Sequence, residues 1–63
     1  MNLIKQKLRV KKKTIGWLAQ RSGVSKRQLI RIIKDNVDPL VSTAYKISKA
    51  LDCTIEEVFL FED

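Results

Sequence analysis

Residues 14–34 read TIGWLAQRSGVSKRQLIRIIK, and the fold turns on how this stretch divides. Thr14 is an N-cap candidate, because its hydroxyl can accept from a free amide of a first helical turn. Ile15, Leu18, Ala19 and Ser22 then recur at helical spacing. Gly23 ends that helix, as a glycine just past a helix end commonly does. Ser25 and Gln28 stand at capping-box spacing, and Val24 and Leu29 flank the cap at the spacing of a hydrophobic staple. The apolar stripe continues through Ile32 and Ile33, and the helix is expected to end near Lys34 or Asp35. Two short helices joined by a glycine turn result. Ala19 is small where they would cross, while Val24, Leu29 and Ile32 hold the second helix against the first.

Outward from this pair, Gly16, Gly23 and Pro39 are the only Gly and Pro in 63 residues, and no two-residue alternation appears. Every element therefore reads as helix. A first helix is expected from about Asn2 to Lys12, with Leu3, Ile4 and Leu8 on its inner stripe. Asn36-Val37-Asp38-Pro39 reads as a turn. A fourth helix is expected from about Val41 to Leu51, burying Ala44, Ile47, Ser48 and Leu51. A second capping box, Thr54 with Glu57, opens a fifth, which buries Ile55, Val58 and Phe59. The expectation is an all-α, compact five-helix bundle containing a helix-turn-helix, with residues 1–63 as one domain. A chain this short buries only about 60% of its unfolded surface, so its core is small.

The formal charge of +6 hides an asymmetry. Residues 1–34 carry eleven Lys and Arg and no acid, whereas residues 35–63 carry two lysines against seven acids. A basic half without acidic partners favours a polyanion. A membrane surface would need an amphipathic helix with a spare bulky apolar face, and the apolar residues here are committed to a core. One Cys and no His exclude disulfide pairs and Cys/His zinc sites. No metal, cofactor or small-molecule ligand is implied. The longest apolar run, Val58-Phe59-Leu60-Phe61, is far short of the roughly 20 residues that span a bilayer. The basic N-terminus lacks a signal-peptide core, and a soluble cytoplasmic protein is expected. Without His, and without an acid before Asp35, nothing points to catalysis.

Thr14 to Phe59 resembles the Cro/cI-type (Xre-type) helix-turn-helix family of phage and bacterial DNA-binding regulators. The resemblance rests on Thr14, Leu18-Ala19, Gly23-Val24-Ser25, Leu29, Arg31-Ile32, Pro39, Ile47, Lys49-Ala50-Leu51 and Thr54-Ile55-Glu56-Glu57-Val58-Phe59. It implies a third helix that enters the major groove, and a protein that acts as a dimer on a roughly palindromic operator. Two departures stand out. Many members hold a phosphate with a Gln just after the residue matching Thr14, and here that residue is Ile15. Many also pair an Arg on helix one with a Glu near the end of helix three, and the Glu position here is Ile33. The register of helix one puts Leu8 or Arg9 opposite Ile33. Leu8 is expected, since a buried Arg without its Glu would be costly.

On a helical wheel Leu29, Ile32 and Ile33 share one side of helix three, and Arg27, Arg31 and Lys34 point away from it. Arg pairs bidentately with guanine, so Arg27 and Arg31 are candidate base readers. Lys26 and Ile30 lie on one flank and Gln28 on the other. Ile30 can touch a thymine methyl; Gln28 can read adenine if the capping box does not hold it. Lys11, Lys12, Lys13, Thr14, Ser25, Lys34, Ser42 and Thr43 are candidate phosphate contacts, which position the protein without specifying sequence. Trp17 is expected to be partly buried, with stacking beside the DNA backbone as the alternative. Tyr45 is expected to be half-buried and Cys53 to lie in the core.

Phe59, Leu60 and Phe61 are the candidate dimer interface, with Leu60 and Phe61 surplus to the inward stripe of helix five. The alternative for Phe61 is a fold back onto helix one. The expected function is that of a sequence-specific double-stranded DNA-binding transcriptional regulator, a stand-alone one because no chain remains after helix five. The rival readings are a protein-interaction module on the same fold and an antitoxin-type autoregulator.

Overall fold

In the computed structural model, which describes residues 2–59, five helices follow in the expected order. They are α1 (Ile4–Lys11), α2 (Ile15–Ser22), α3 (Lys26–Lys34), α4 (Val41–Ala50) and α5 (Ile55–Val58). The core is one cluster fed by every helix: Ile4 and Leu8, Leu18, Leu29 and Ile32, Ala44 and Ile47, and Val58, joined by Val24, Leu51 and Phe59 from the connections. Ile15, Trp17, Ala19, Ile33, Cys53 and Ile55 pack against it while partly exposed. The expected stripes supply this core, except that Leu3 is half-buried outside the cluster and that Cys53, expected in the core, and Ile55, expected to be buried, lie at its margin.

The local signals explain where the helices start and stop. Thr14 Oγ1 accepts from the Trp17 amide at 3.1 Å, capping α2. Gly23 follows α2 at φ 77°, in the left-handed region that a residue with a Cβ seldom adopts. Ser22 Oγ donates to the Leu18 carbonyl at 2.7 Å and accepts from the Val24 amide at 3.2 Å, so it clasps the turn between α2 and α3. The Thr54–Glu57 box is complete in both directions. Hydrogen bonds from the Thr54 amide and hydroxyl, aided by Lys7, hold the Glu57 carboxyl below its usual range. That cap is at full strength above the ordinary carboxylate range and weakens as pH falls through the lowered value.

Several expectations are corrected. Only half of the Ser25–Gln28 box forms: Ser25 Oγ accepts from the Gln28 amide at 3.1 Å, and the Gln28 side chain does not return. The first helix is shorter than 2–12, because its leading residues are engaged elsewhere. Asn2 Oδ1 accepts from the Ile4 amide, Asn2 Nδ2 donates to the Ile32 carbonyl at 2.9 Å, and the Leu3 amide donates to the Val58 carbonyl at 2.6 Å. At the other end Lys12 turns left-handed at φ 56° and stops the helix. Tyr45 is 54% exposed, close to the half-burial expected. Phe59 is buried as its place on the inward stripe implies, only 4% exposed, and it forms an antiparallel bridge with Asn2, so its side chain serves the core of its own chain. Leu60 and Phe61 lie outside the described residues.

The register of α1 is settled in favour of Leu8, which is buried while Arg9 is exposed. Ile33 packs against the same core, so apolar side chains occupy both positions. Ile33→Glu is expected to cost about 1–3 kcal/mol, from lost packing and a half-desolvated carboxylate without a partner. Urea unfolding measures this; an unchanged midpoint would contradict it.

Ser48 carries the opposite expectation. It is 1% exposed, and its hydroxyl has no hydrogen-bond partner among the described residues. An unsatisfied buried hydroxyl is destabilising, and Ala is the better helix former. Ser48→Ala is therefore expected to stabilise by about 1 kcal/mol, which raises Tm by roughly 4–8 °C in a domain this size. A lower Tm would show that the hydroxyl does find a partner.

Candidate nucleic-acid interface

The helix-turn-helix pair presents one side of α3 to solvent because Leu29 and Ile32 are sunk in the core. Arg27, Arg31, Lys26, Gln28 and Lys34 are all exposed, and Ile30 is half-buried on the flank. Arg27, Arg31 and Lys34 thus share an outward face one turn apart, as the wheel predicts. The half-formed cap leaves the Gln28 carboxamide unengaged, which removes the competition expected for it. Among the described residues none of these cations forms an ion pair. Two tethers fix the height and tilt of this helix: the Ser22 clasp at its start and the Asn2 bond to the Ile32 carbonyl near its end. Neither is announced in the sequence, where Asn2 and Ser22 are ordinary polar residues at helix edges.

The starts of α2, of α3 itself and of α4 carry the remaining candidate contacts. At α2, the exposed Lys11, Lys12 and Lys13 run straight into the Thr14 cap. The Lys13 ammonium sits 5.4 Å from the Trp17 ring centroid, which restrains it beside that helix end. Trp17 is partly buried, as expected. The Thr14 and Ser25 hydroxyls each accept from a backbone amide and keep their own proton for an outside acceptor. At α4, Leu40 stands at the cap position and supplies no side-chain bond to the first amides of that helix, whose first turn carries exposed Ser42 and half-buried Thr43. Ile15, where a phosphate-holding Gln is common, packs against the core instead.

A shallow groove runs along α3, with Gln28 and Arg31 on one wall and Val37, Asp38 and Leu40 on the other. Asp38 beside the candidate readers went unforeseen, since its turn-forming chemistry hides where its carboxylate lies. Among the described residues no cluster of His, Cys, Asp or Glu is placed to hold a metal. No helix there is long and apolar enough to cross a membrane.

The sequence model described as Helix-turn-helix matches residues 4–58, from the first turn of α1 to the end of α5. The chain belongs to the Cro/cI-type (Xre-type) helix-turn-helix family. Proteins of this family are DNA-binding transcriptional regulators. A relative from Methanocaldococcus jannaschii, named an uncharacterized HTH-type transcriptional regulator, is 41% identical over 46 residues, covering 73% of this chain and 70% of the relative. The SPbeta prophage-derived uncharacterized HTH-type transcriptional regulator YopS of Bacillus subtilis is 38% identical over 63 residues, covering 95% of this chain and 82% of its own length. An Archaeoglobus fulgidus protein, also named an uncharacterized HTH-type transcriptional regulator, is 33% identical over 46 residues, with 73% and 65% covered. No solved structure matches the chain.

Proposed function

We propose that this helix-turn-helix protein is a transcriptional regulator that reads a double-stranded operator through the major groove with α3, as a homodimer in the cytoplasm. It acts by binding and not by catalysis. The observation that carries this is the outward side of α3, where Arg27 and Arg31 stand exposed and unpaired on a helix whose opposite side is locked into the core. Arg27 and Arg31 take guanine edges, Gln28 an adenine edge, and Ile30 a thymine methyl. Lys26 supports the same strand. Asp38 repels phosphate and suits an amino group such as N4 of cytosine.

Lys11, Lys12, Lys13 and Lys34 neutralise phosphates, and the Thr14, Ser25, Ser42 and Thr43 hydroxyls donate to phosphate oxygens beside helix N-termini. One α3 reads only a few base pairs, so selective binding needs two copies on half-sites about 34 Å apart. Amide chemical-shift mapping with a short duplex tests this. The largest changes are expected in α3, at the start of α2 and at residues 40–43. Changes confined to α5, with α3 silent, would favour a protein-interaction module instead.

A further inference from the structure

Resting on the operator reading above, we infer that the groove between α3 and the turn after it reads one C·G base pair in each half-site, and that it favours cytosine carrying a methyl group at C5. Asn36 is left-handed at φ 53°, and the chain turns back so that residues 37–40 come alongside α3. Arg31 stands on one wall of the groove, and Val37, Asp38 and Leu40 on the other. All four side chains are exposed, Val37 at 42% and Leu40 at 76%. Among the described residues Asp38 and Arg31 form no ion pair with each other or with any other group.

The chemistry of the two walls identifies the base pair. In the major groove guanine offers two acceptors, thymine an acceptor beside its methyl, and adenine an acceptor beside its amino group. Cytosine alone offers a donor, N4, beside a carbon, C5, with no acceptor. A carboxylate flanked by apolar side chains matches that edge and is opposed by the other three. Arg31 on the facing wall matches the partner guanine, with two donors for O6 and N7. An anion and a cation on facing walls thus meet the two halves of one C·G pair. Val37 and Leu40 flank Asp38, where an acid keeps phosphate away and apolar side chains would gain nothing from it. Against C5 they meet a hydrogen in cytosine and a methyl in 5-methylcytosine, and the methyl removes more apolar surface from water. Thymine carries the same methyl, but its O4 would face the Asp38 carboxylate. Only the methylated cytosine satisfies both the acid and the apolar pair.

Duplexes carrying the site that the wild-type chain selects from a random pool test this, with each cytosine replaced in turn by 5-methylcytosine. At one cytosine in each half, methylation is expected to tighten binding about threefold. Asp38→Ala and Arg31→Ala are each expected to lose about a tenfold preference at that same base pair, and the double variant to lose little more than either alone. Leu40→Ser is expected to keep the preference for C·G and to lose the gain from methylation. Circular dichroism of every variant is expected to match the wild type, since the three side chains are exposed. The inference is overturned if 5-methylcytosine is neutral or weakening at every position, or if Leu40→Ser responds to it as the wild type does. It is equally overturned if Asp38→Ala tightens all duplexes alike and keeps the wild-type sequence preference. In each of these cases a selected site remains, and the reading of DNA by α3 stands. A pool that stays random would instead refute that reading, and this inference with it.

Discussion

Raising salt from about 50 to 200 mM is expected to weaken binding to duplex DNA by about 10⁴-fold. The expectation follows from eleven cations without an acid in residues 1–34. Lys11, Lys12 and Lys13 at the start of α2, with Lys34 at the end of α3, give about four neutralised phosphates per half-complex. Two halves make about eight contacts, and the log–log slope of affinity against salt is then near −7. The absence of ion pairs to these lysines among the described residues strengthens the effect, because no internal partner must be given up on binding. A slope flatter than about −2 would mean that the basic half does not lie along the phosphates.

Arg27→Ala or Arg31→Ala is expected to cost about 1–3 kcal/mol per half-site, and so about 2–6 kcal/mol on a palindrome. The loss comes with relaxed preference at one base pair in each half. Lys12→Ala is expected to weaken all sequences about equally. The contrast matters more than the size, since a lost phosphate contact lowers affinity without changing which sequence is preferred. Neither arginine has a structural role to lose, because both are exposed on the side of α3 away from Leu29 and Ile32. Competition binding against single-base operator variants reads both quantities. Equal losses on every variant would reassign the arginines to the backbone.

The fold was legible wherever a signal was local and chemical. Thr14, Ser25 and Thr54 announced three helix starts, Gly23 announced the turn, and the apolar spacing placed Leu18, Leu29, Ile32, Ile47 and Val58 in the core. What escaped was set by distant parts of the chain. Asn2 reaches thirty positions along the sequence to the Ile32 carbonyl, and no periodicity encodes that. Phe59 was legible as an inward residue of the α5 stripe, but its backbone bridge to Asn2 was not. The outward cations of α3 were legible because the core residues fix the helix rotation. The freedom of Gln28 was not, because the box spacing is the same whether or not its side chain turns back.

The central claim, that α3 reads a specific duplex, is tested most directly by selecting bound sequences from a random double-stranded pool with the wild-type chain. The predicted result is one roughly palindromic site, with guanine in each half at positions that lose their preference in Arg27→Ala or Arg31→Ala selections. A pool that stays random after repeated rounds, while the folded protein binds all duplexes alike, would contradict it.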